Sequence, residues 1–288
     1  MKRAREVRIQ QARRTRDSIR QIQKLRENRG KRDRRTIPHA PVEIIGGYST
    51  QPIEVVGGGR GEHITEFTST GGGGLVTGIT VCYNTTALMT KAYNSIRRFY
   101  PDMPIIIVDC SEPGNSCARY VRGLASELTT IMRPGRNIGH GPGMNMGINY
   151  CQTRYALMFD TDSELLEPCV GDMLAMMEED TFGVGYVIPT AFGGFGTLYT
   201  YPPSPTPMDR TWMPYLHPYF HLLDIKNYRK YPAYEHQGAP STPTMLAIYK
   251  SGQAWKIIKQ FKDLANGTPK FVAHAGGGTC RRNVKLCT

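Results

Sequence analysis

The 288-residue sequence has no apolar run approaching the ~20 residues a membrane-spanning helix needs. No apolar segment stands behind its N-terminal charges either, so neither a membrane span nor a signal peptide is expected. Its seven cysteines, at 82, 110, 117, 151, 169, 280 and 287, include no Cys-x-x-Cys and no paired spacing. That odd, scattered set reads as reduced thiols in a cytoplasmic protein, several of them in core strands. Acidic residues are in short supply, with 24 Asp and Glu against 36 Lys and Arg and a net charge of +12. The shortage is local. Residues 1–35 hold 15 Lys and Arg against four Asp and Glu and no proline, while residues 36–288 balance 21 against 20. The basicity therefore belongs to a tail, and the body is nearly neutral.

What is present divides into three parts. Residues 1–35 have helical spacing over about 4–28 but carry only Val7, Ile9, Ile19, Ile22 and Leu25 as large aliphatics, too few for a core of their own. Residues 36–74 are glycine-rich, with short β-like runs at 42–45 and 53–56, and read as a connector. The body, residues 75–288, is apolar enough for a real core. Its elements alternate: strands at 78–83, 104–109, 128–132 and 155–160, and helices at 85–99, 117–127, 144–150 and 169–179, with a loop at 136–143. Short continuous apolar strands separated by helices predict an α/β fold, a mostly parallel sheet covered on both faces. Ligands of such sheets bind beyond the carboxyl ends of the strands, where Asn84, Asp109 and Asp160 stand.

Phe159-Asp160-Thr161-Asp162 is the most informative stretch. Strand alternation would put both carboxylates on one side, where they could share a divalent cation that clamps a diphosphate. An acidic pair after a strand is also ordinary turn chemistry, so its surroundings decide.

Those surroundings carry a resemblance. The series Ile79-Thr80-Val81-Cys82-Tyr83-Asn84, Ile107-Val108-Asp109, Asn137-Ile138-Gly139, Gly143-Met144-Asn145-Met146-Gly147-Ile148 and Asp160-Thr161-Asp162, in that order, resembles the nucleotide-sugar-binding half of family 2 GT-A glycosyltransferases. It covers residues 75–177. The resemblance implies a Rossmann-like GT-A fold, with a donor half at 75–180 and an acceptor half at 181–288. It implies that Tyr83 and Asn84 line the nucleotide pocket, that Asp109 hydrogen-bonds the base, and that Asn137, Gly139 and Asn145 line the ribose and diphosphate side. Asp160 and Thr161 would meet the donor, and Asp160 and Asp162 would hold Mn2+ or Mg2+. A C-terminal histidine often completes the metal shell in such enzymes, which points to His274 in Phe271-Val272-Ala273-His274. The ending His-x-x-x-Gly-Thr resembles that of small family 2-related transferases of phage genomes, for which the compartment would be the host cytoplasm. The implied donor is a nucleotide-sugar, a UDP-sugar first, and the implied reaction is hexosyl transfer, with inversion weakly favoured.

The acceptor half departs from the family pattern, because no Glu-Asp pair precedes a helix in that region. Glu235 and His236, just before a predicted helix at 242–249, are the candidate bases, and Asp224 is a third. The stretch 199–218, rich in proline and aromatics, reads as a long ordered loop whose rings would stack on an acceptor. The basic tail has the footprint of nucleic-acid binding, which admits a modified base in DNA as the acceptor; it lacks the bulky apolar face that membrane insertion needs. Protein and glycan acceptors remain open, as does a nucleic-acid-binding or virion-associated module on a degenerate transferase fold.

Overall fold

The computed structural model describes residues 42–46, 74–191, 212–235, 239–262 and 270–275. The predicted tail helix, nearly all of the connector, His236 and the glycine-rich bend after His274 lie outside the described residues.

An eight-stranded sheet forms the centre, in the order β1 (Glu43–Ile45), β4 (Thr129–Arg133), β3 (Ile105–Asp109), β2 (Val76–Cys82), β5 (Tyr155–Phe159), β8 (Trp212–Asp224), β7 (Gly183–Ala191) and β9 (Ile258–Gln260). Strands β4, β3, β2 and β5 run parallel. Every residue of β3 and β5 is buried, which is why these strands read as unbroken apolar runs without alternation. Beyond β5 the sheet turns antiparallel through β8 and β7, and β9 rejoins in parallel. Residues 43–45, placed in the connector by sequence, add an antiparallel edge strand to β4.

Helices cover both faces. On one, α1 (Thr86–Phe99) and α2 (Ser116–Arg122) lay Met89, Ala92, Ile96, Cys117 and Val121 on Ile105, Ile107 and Leu157. The buried stripe of α1 runs through Met89, Ala92, Ser95 and Ile96, and the Ser95 hydroxyl accepts the Leu165 N–H at 2.9 Å. On the other face, α3 (His140–Tyr150) sets Met144 and Ile148 on Ile79, Ile106 and Val108. The shorter helices are α4 (Val170–Ala175), α5 (Ile225–Tyr228), α6 (Thr242–Lys250) and α7 (Ala254–Ile257). A second sheet pairs β6 (Ser163–Leu165) with β10 (Val272–His274).

Helices α2 and α4 end at Arg122 and Ala175, short of the predicted 127 and 179, and two further elements differ from the sequence reading. Helix α3 starts at His140, four residues before the predicted Met144, so Gly141-Pro142-Gly143 is helical rather than loop. Glycine is a poor helix former, and close packing overrides propensity here. A Cβ on Gly147 would lie 2.5 Å from Ile79 Cγ2, and one on Gly143 would lie 2.8 Å from Val81 Cγ1. Second, the stretch expected to be loop up to residue 218 is strand from Trp212 onward, with Pro214 and Pro218 inside β8.

Gly147→Ala is expected to destabilise the fold by about 1–3 kcal/mol, since the methyl must displace a fully buried isoleucine. Gly171→Ala in α4, where a Cβ meets nothing within 4 Å, should be neutral or stabilising by up to about 1 kcal/mol. Urea denaturation of the two variants checks the contrast, and equal midpoints would refute the close-contact account.

Candidate active site

The carboxyl ends of the parallel strands carry the predicted residues to one edge of the sheet. After β2, Tyr83 donates its hydroxyl to Glu112 Oε1 at 3.0 Å. Asn84 follows in the left-handed region at φ 53°, a conformation asparagine tolerates better than most residues. Its backbone N–H donates to Ser111 Oγ at 3.0 Å, tying the β2 exit to the β3 exit. Asn137 Oδ1 accepts the Gly139 N–H at 2.9 Å, and Gly139, at φ 87°, turns the chain into α3. That helix opens without a side-chain cap, the arrangement in which first-turn amides serve an anionic ligand.

After β5 the chain makes a tight turn. Asp160 donates its N–H to Tyr219 O at 2.8 Å, and the Ser163 N–H returns to Asp160 O at 3.1 Å. Between them Thr161 is buried, its hydroxyl 3.4 Å from that of Thr85. The β6–β10 pairing sets His274 opposite Ser163, which brings a residue 112 positions after Asp162 beside it. His274 Nε2 lies 3.4 Å from Asp162 Oδ1, and the Ala275 N–H donates to Asp162 O at 3.0 Å. The His274 ring stacks on Tyr219, centroids 4.3 Å apart at 13°. One ligand atom from each of Asp160, Asp162 and His274 lies within 4.8 Å of the others.

Histidines dominate the electrostatics. His140 Nε2 is 3.1 Å from Asp160 Oδ1. Burial works to raise the Asp160 pKa, but the charge and hydrogen bond of His140, with His274 and His217 adding to them, outweigh it and hold the carboxyl below its usual range. Burial likewise works to depress His140, and Asp160 and Asp162 together raise it instead. His217 responds differently: burial pulls it down to about 4. Its Nδ1 accepts the Tyr219 N–H at 3.3 Å, which leaves the proton of the neutral ring on Nε2. His221, deeper on β8, also falls to about 4 through burial, its Nε2 3.3 Å from the Tyr234 hydroxyl.

A mostly parallel sheet of this strand order, with helices on both faces, is the α/β architecture of a GT-A fold. Residues 78–240, more than half of the chain, match glycosyl transferase family 2, and the chain belongs to that family. Among solved structures it resembles a mannosyltransferase, PcManGT from Pyrobaculum calidifontis in complex with GDP-Man and Mn2+, with a TM-score of 0.44 at 14% identity, covering 67% of this chain and 58% of that one. It also resembles S. aureus TarS 1–349, with a TM-score of 0.45 at 14% identity over 72% of this chain and 62% of that one. The same protein in complex with UDP gives a TM-score of 0.44 at 14% identity, over 69% and 59%. The chain thus spans roughly three fifths of those structures. No curated protein matches the sequence.

Several predicted residues have their side chains engaged within the protein. The Asn145 side chain is committed inward: its Nδ2 donates to Tyr234 O at 2.5 Å, and its Oδ1 accepts from the Tyr228 hydroxyl and from Tyr234 N. Through these bonds it clamps the segment that leads to Glu235. Asp109 is enclosed, its side chain 0% exposed. Asp224 caps α5 through the Asn227 N–H at 2.9 Å and pairs with Arg154, so it is structural. Glu235 is exposed and comes close to α3, since a Cβ on Gly141 would lie 2.6 Å from the Glu235 carbonyl carbon. Sequence reasoning missed His140 because residues 136–143 read as loop, and no local pattern joins it to Asp160 twenty positions on.

The depressed histidines set a pH dependence. An unfolded imidazole protonates near 6.5 while the folded His217 and His221 resist until about 4, so the unfolded state binds more protons in that window. Stability is expected to fall as pH drops from about 6.5 toward 4, measured by urea denaturation. In histidine NMR the His221 ring should stay neutral at pH 5; a His221 resonance titrating near 6.5 would contradict its burial.

Proposed function

We propose that this family 2 glycosyltransferase moves a sugar from a nucleotide-sugar, UDP-linked first among the candidates, to an acceptor hydroxyl with a divalent cation at Asp160, Asp162 and His274. One observation supports this above others: two carboxylates and an imidazole converge within 4.8 Å at the strand exits. Two hard oxygen donors and one borderline nitrogen fit Mn2+, and suit Mg2+ less, since Mg2+ favours an all-oxygen shell. When bound, the cation would neutralise the charge that grows on the departing diphosphate.

The chain's own residues supply the rest. Asn137 and Gly139 set the uncapped start of α3 toward the phosphates. His140 holds Asp160 ionised and oriented. Tyr83 and Asn84 border the nucleotide at the β2 exit. Glu235, whose N–H donates to Pro240 O at 2.8 Å and whose backbone lies against Gly141 of α3, is the carboxylate of residues 181–288 that serves as base. In that role it takes the proton of the acceptor hydroxyl as the oxygen bonds to the anomeric carbon and the bond to the diphosphate breaks. A single displacement of this kind inverts the anomeric centre.

Nucleotide release from a panel of nucleotide-sugars, with Mn2+ and candidate acceptors that include hydroxymethylated DNA, tests the reading. Asp162→Ala is expected to lower turnover by about 100-fold or more, and Mn2+ should raise the melting temperature of the parent but not of that variant. No release with any donor, or an unchanged Asp162→Ala, would sink the proposal.

The acceptor is the second part of the reading. A tail of 15 Lys and Arg beside a neutral body favours an anionic acceptor, and nucleic acid fits it. Deleting residues 1–35 should abolish salt-sensitive retention on DNA and leave donor hydrolysis intact; retention that survives the deletion would remove DNA from consideration.

A further inference from the structure

The base end of the donor site is built differently from what the family pattern implies. Cys82 and Asp109 are register partners across β2 and β3, and Glu43 and Arg133 are partners across β1 and β4. Val108 pairs with Met132, so Asp109 and Arg133 are next in line at the carboxyl ends of β3 and β4. Four side chains thus form one row across four strands on one face of the sheet. The row is bonded end to end. Asp109 Oδ1 accepts from the Ser111 N–H at 2.9 Å and from Cys82 Sγ at 3.5 Å, and Oδ2 accepts from Arg133 Nε at 3.0 Å. Arg133 Nη1 lies 3.3 Å from Glu43 Oε2, and Arg122 Nη2 holds both oxygens of Glu43 at 2.9 Å.

Both oxygens of Asp109 are engaged inside the protein, and its side chain has no exposed surface, whereas that of Arg133 is 13% exposed. Arg133 Nη2 has no partner among the described residues. A guanidinium pinned at Nε and Nη1 loses little freedom when it binds, and what it has left to offer is hydrogen-bond donors only.

We propose that Arg133, oriented by Asp109 and Glu43, is the residue that selects the base of the nucleotide, and that it takes a base with a carbonyl edge. This rests on the nucleotide-sugar reading and sharpens it. Donors alone match the carbonyl of uracil or the O6 and N7 of guanine, and they oppose the amino group that cytosine or adenine presents at the same edge. Asp109 is then a positioning residue, acting on the ligand through Arg133.

The test is calorimetric binding of UDP, GDP, CDP and ADP, with Mn2+, to the full chain and to Arg133→Gln and Arg133→Lys, folding being checked by thermal melting. The parent is expected to prefer UDP or GDP by about 10-fold or more, and the UDP and GDP arms tell the two carbonyl bases apart. Arg133→Gln should bind the preferred nucleotide about 10- to 100-fold more weakly and bring the four affinities close together. Arg133→Lys keeps the positive charge beside Asp109 and so secures the fold; it should lose the discrimination as well, because an ammonium lacks the fork. A purely structural ion pair would shift melting and leave the order of preference intact, so either variant retaining that order overturns the proposal. A preference for CDP or ADP in the parent overturns it too. A parent that binds none of the four overturns the nucleotide-sugar reading itself, a result distinct from the others.

Discussion

The close approach of α3 to the sheet is the contact on which the site depends. Gly143 and Gly147 let the helix backbone settle onto Val81 and Ile79 at distances no side chain would permit. The consequence reaches both ends of the reaction. At that depth His140 meets Asp160, and Gly141 receives the backbone of Glu235. Farther along the helix, Asn145 grips Tyr234 and keeps the preceding segment in place. One helix thereby links the acid pair to the candidate base through contacts with almost no slack.

Much of the parallel sheet was legible in the sequence for a physical reason. Strands buried on both faces must be apolar throughout, so 105–109 and 155–159 announce themselves, and polar residues at their exits have few other places to go. Asp160 stands out this way, whereas His274 was reached only through the family resemblance, since the β6–β10 pairing that brings it beside Asp162 leaves three-residue strands with no periodicity to read. The start of α3 was not legible, because Gly-Pro-Gly is a turn signal by every local rule and only the packing against β2 makes it helical. The inward turn of Asp109 was hidden as well. Whether a carboxylate faces a ligand or an arginine depends on a neighbouring strand, and Arg133 lies 24 positions away.

The site places its charges unevenly. Asp160 and Asp109 each have a cationic or protonatable neighbour on a different element, His140 on a helix and Arg133 on a strand. Beside His140, Asp160 sits in a half-buried place with its carboxyl held below its usual range. His217 has burial and neighbouring histidines against it, and it stays neutral between Tyr215 and Tyr219. Two imidazoles of one cluster are therefore shifted in opposite directions, His140 upward by Asp160 and Asp162 and His217 downward by burial.

The strand that carries His274 has a consequence for how the protein comes into being. Strands β2 to β5 and their helices are complete in the first part of the body, and their contacts are mostly with one another. During synthesis, which proceeds from the N-terminus, this sheet can close before residue 274 has been made. The acid pair is thus in place early, and the histidine arrives by a pairing of long sequence separation, the kind that forms late. A product truncated before residue 274 would therefore keep the parallel strands and lack the imidazole that stands beside Asp162.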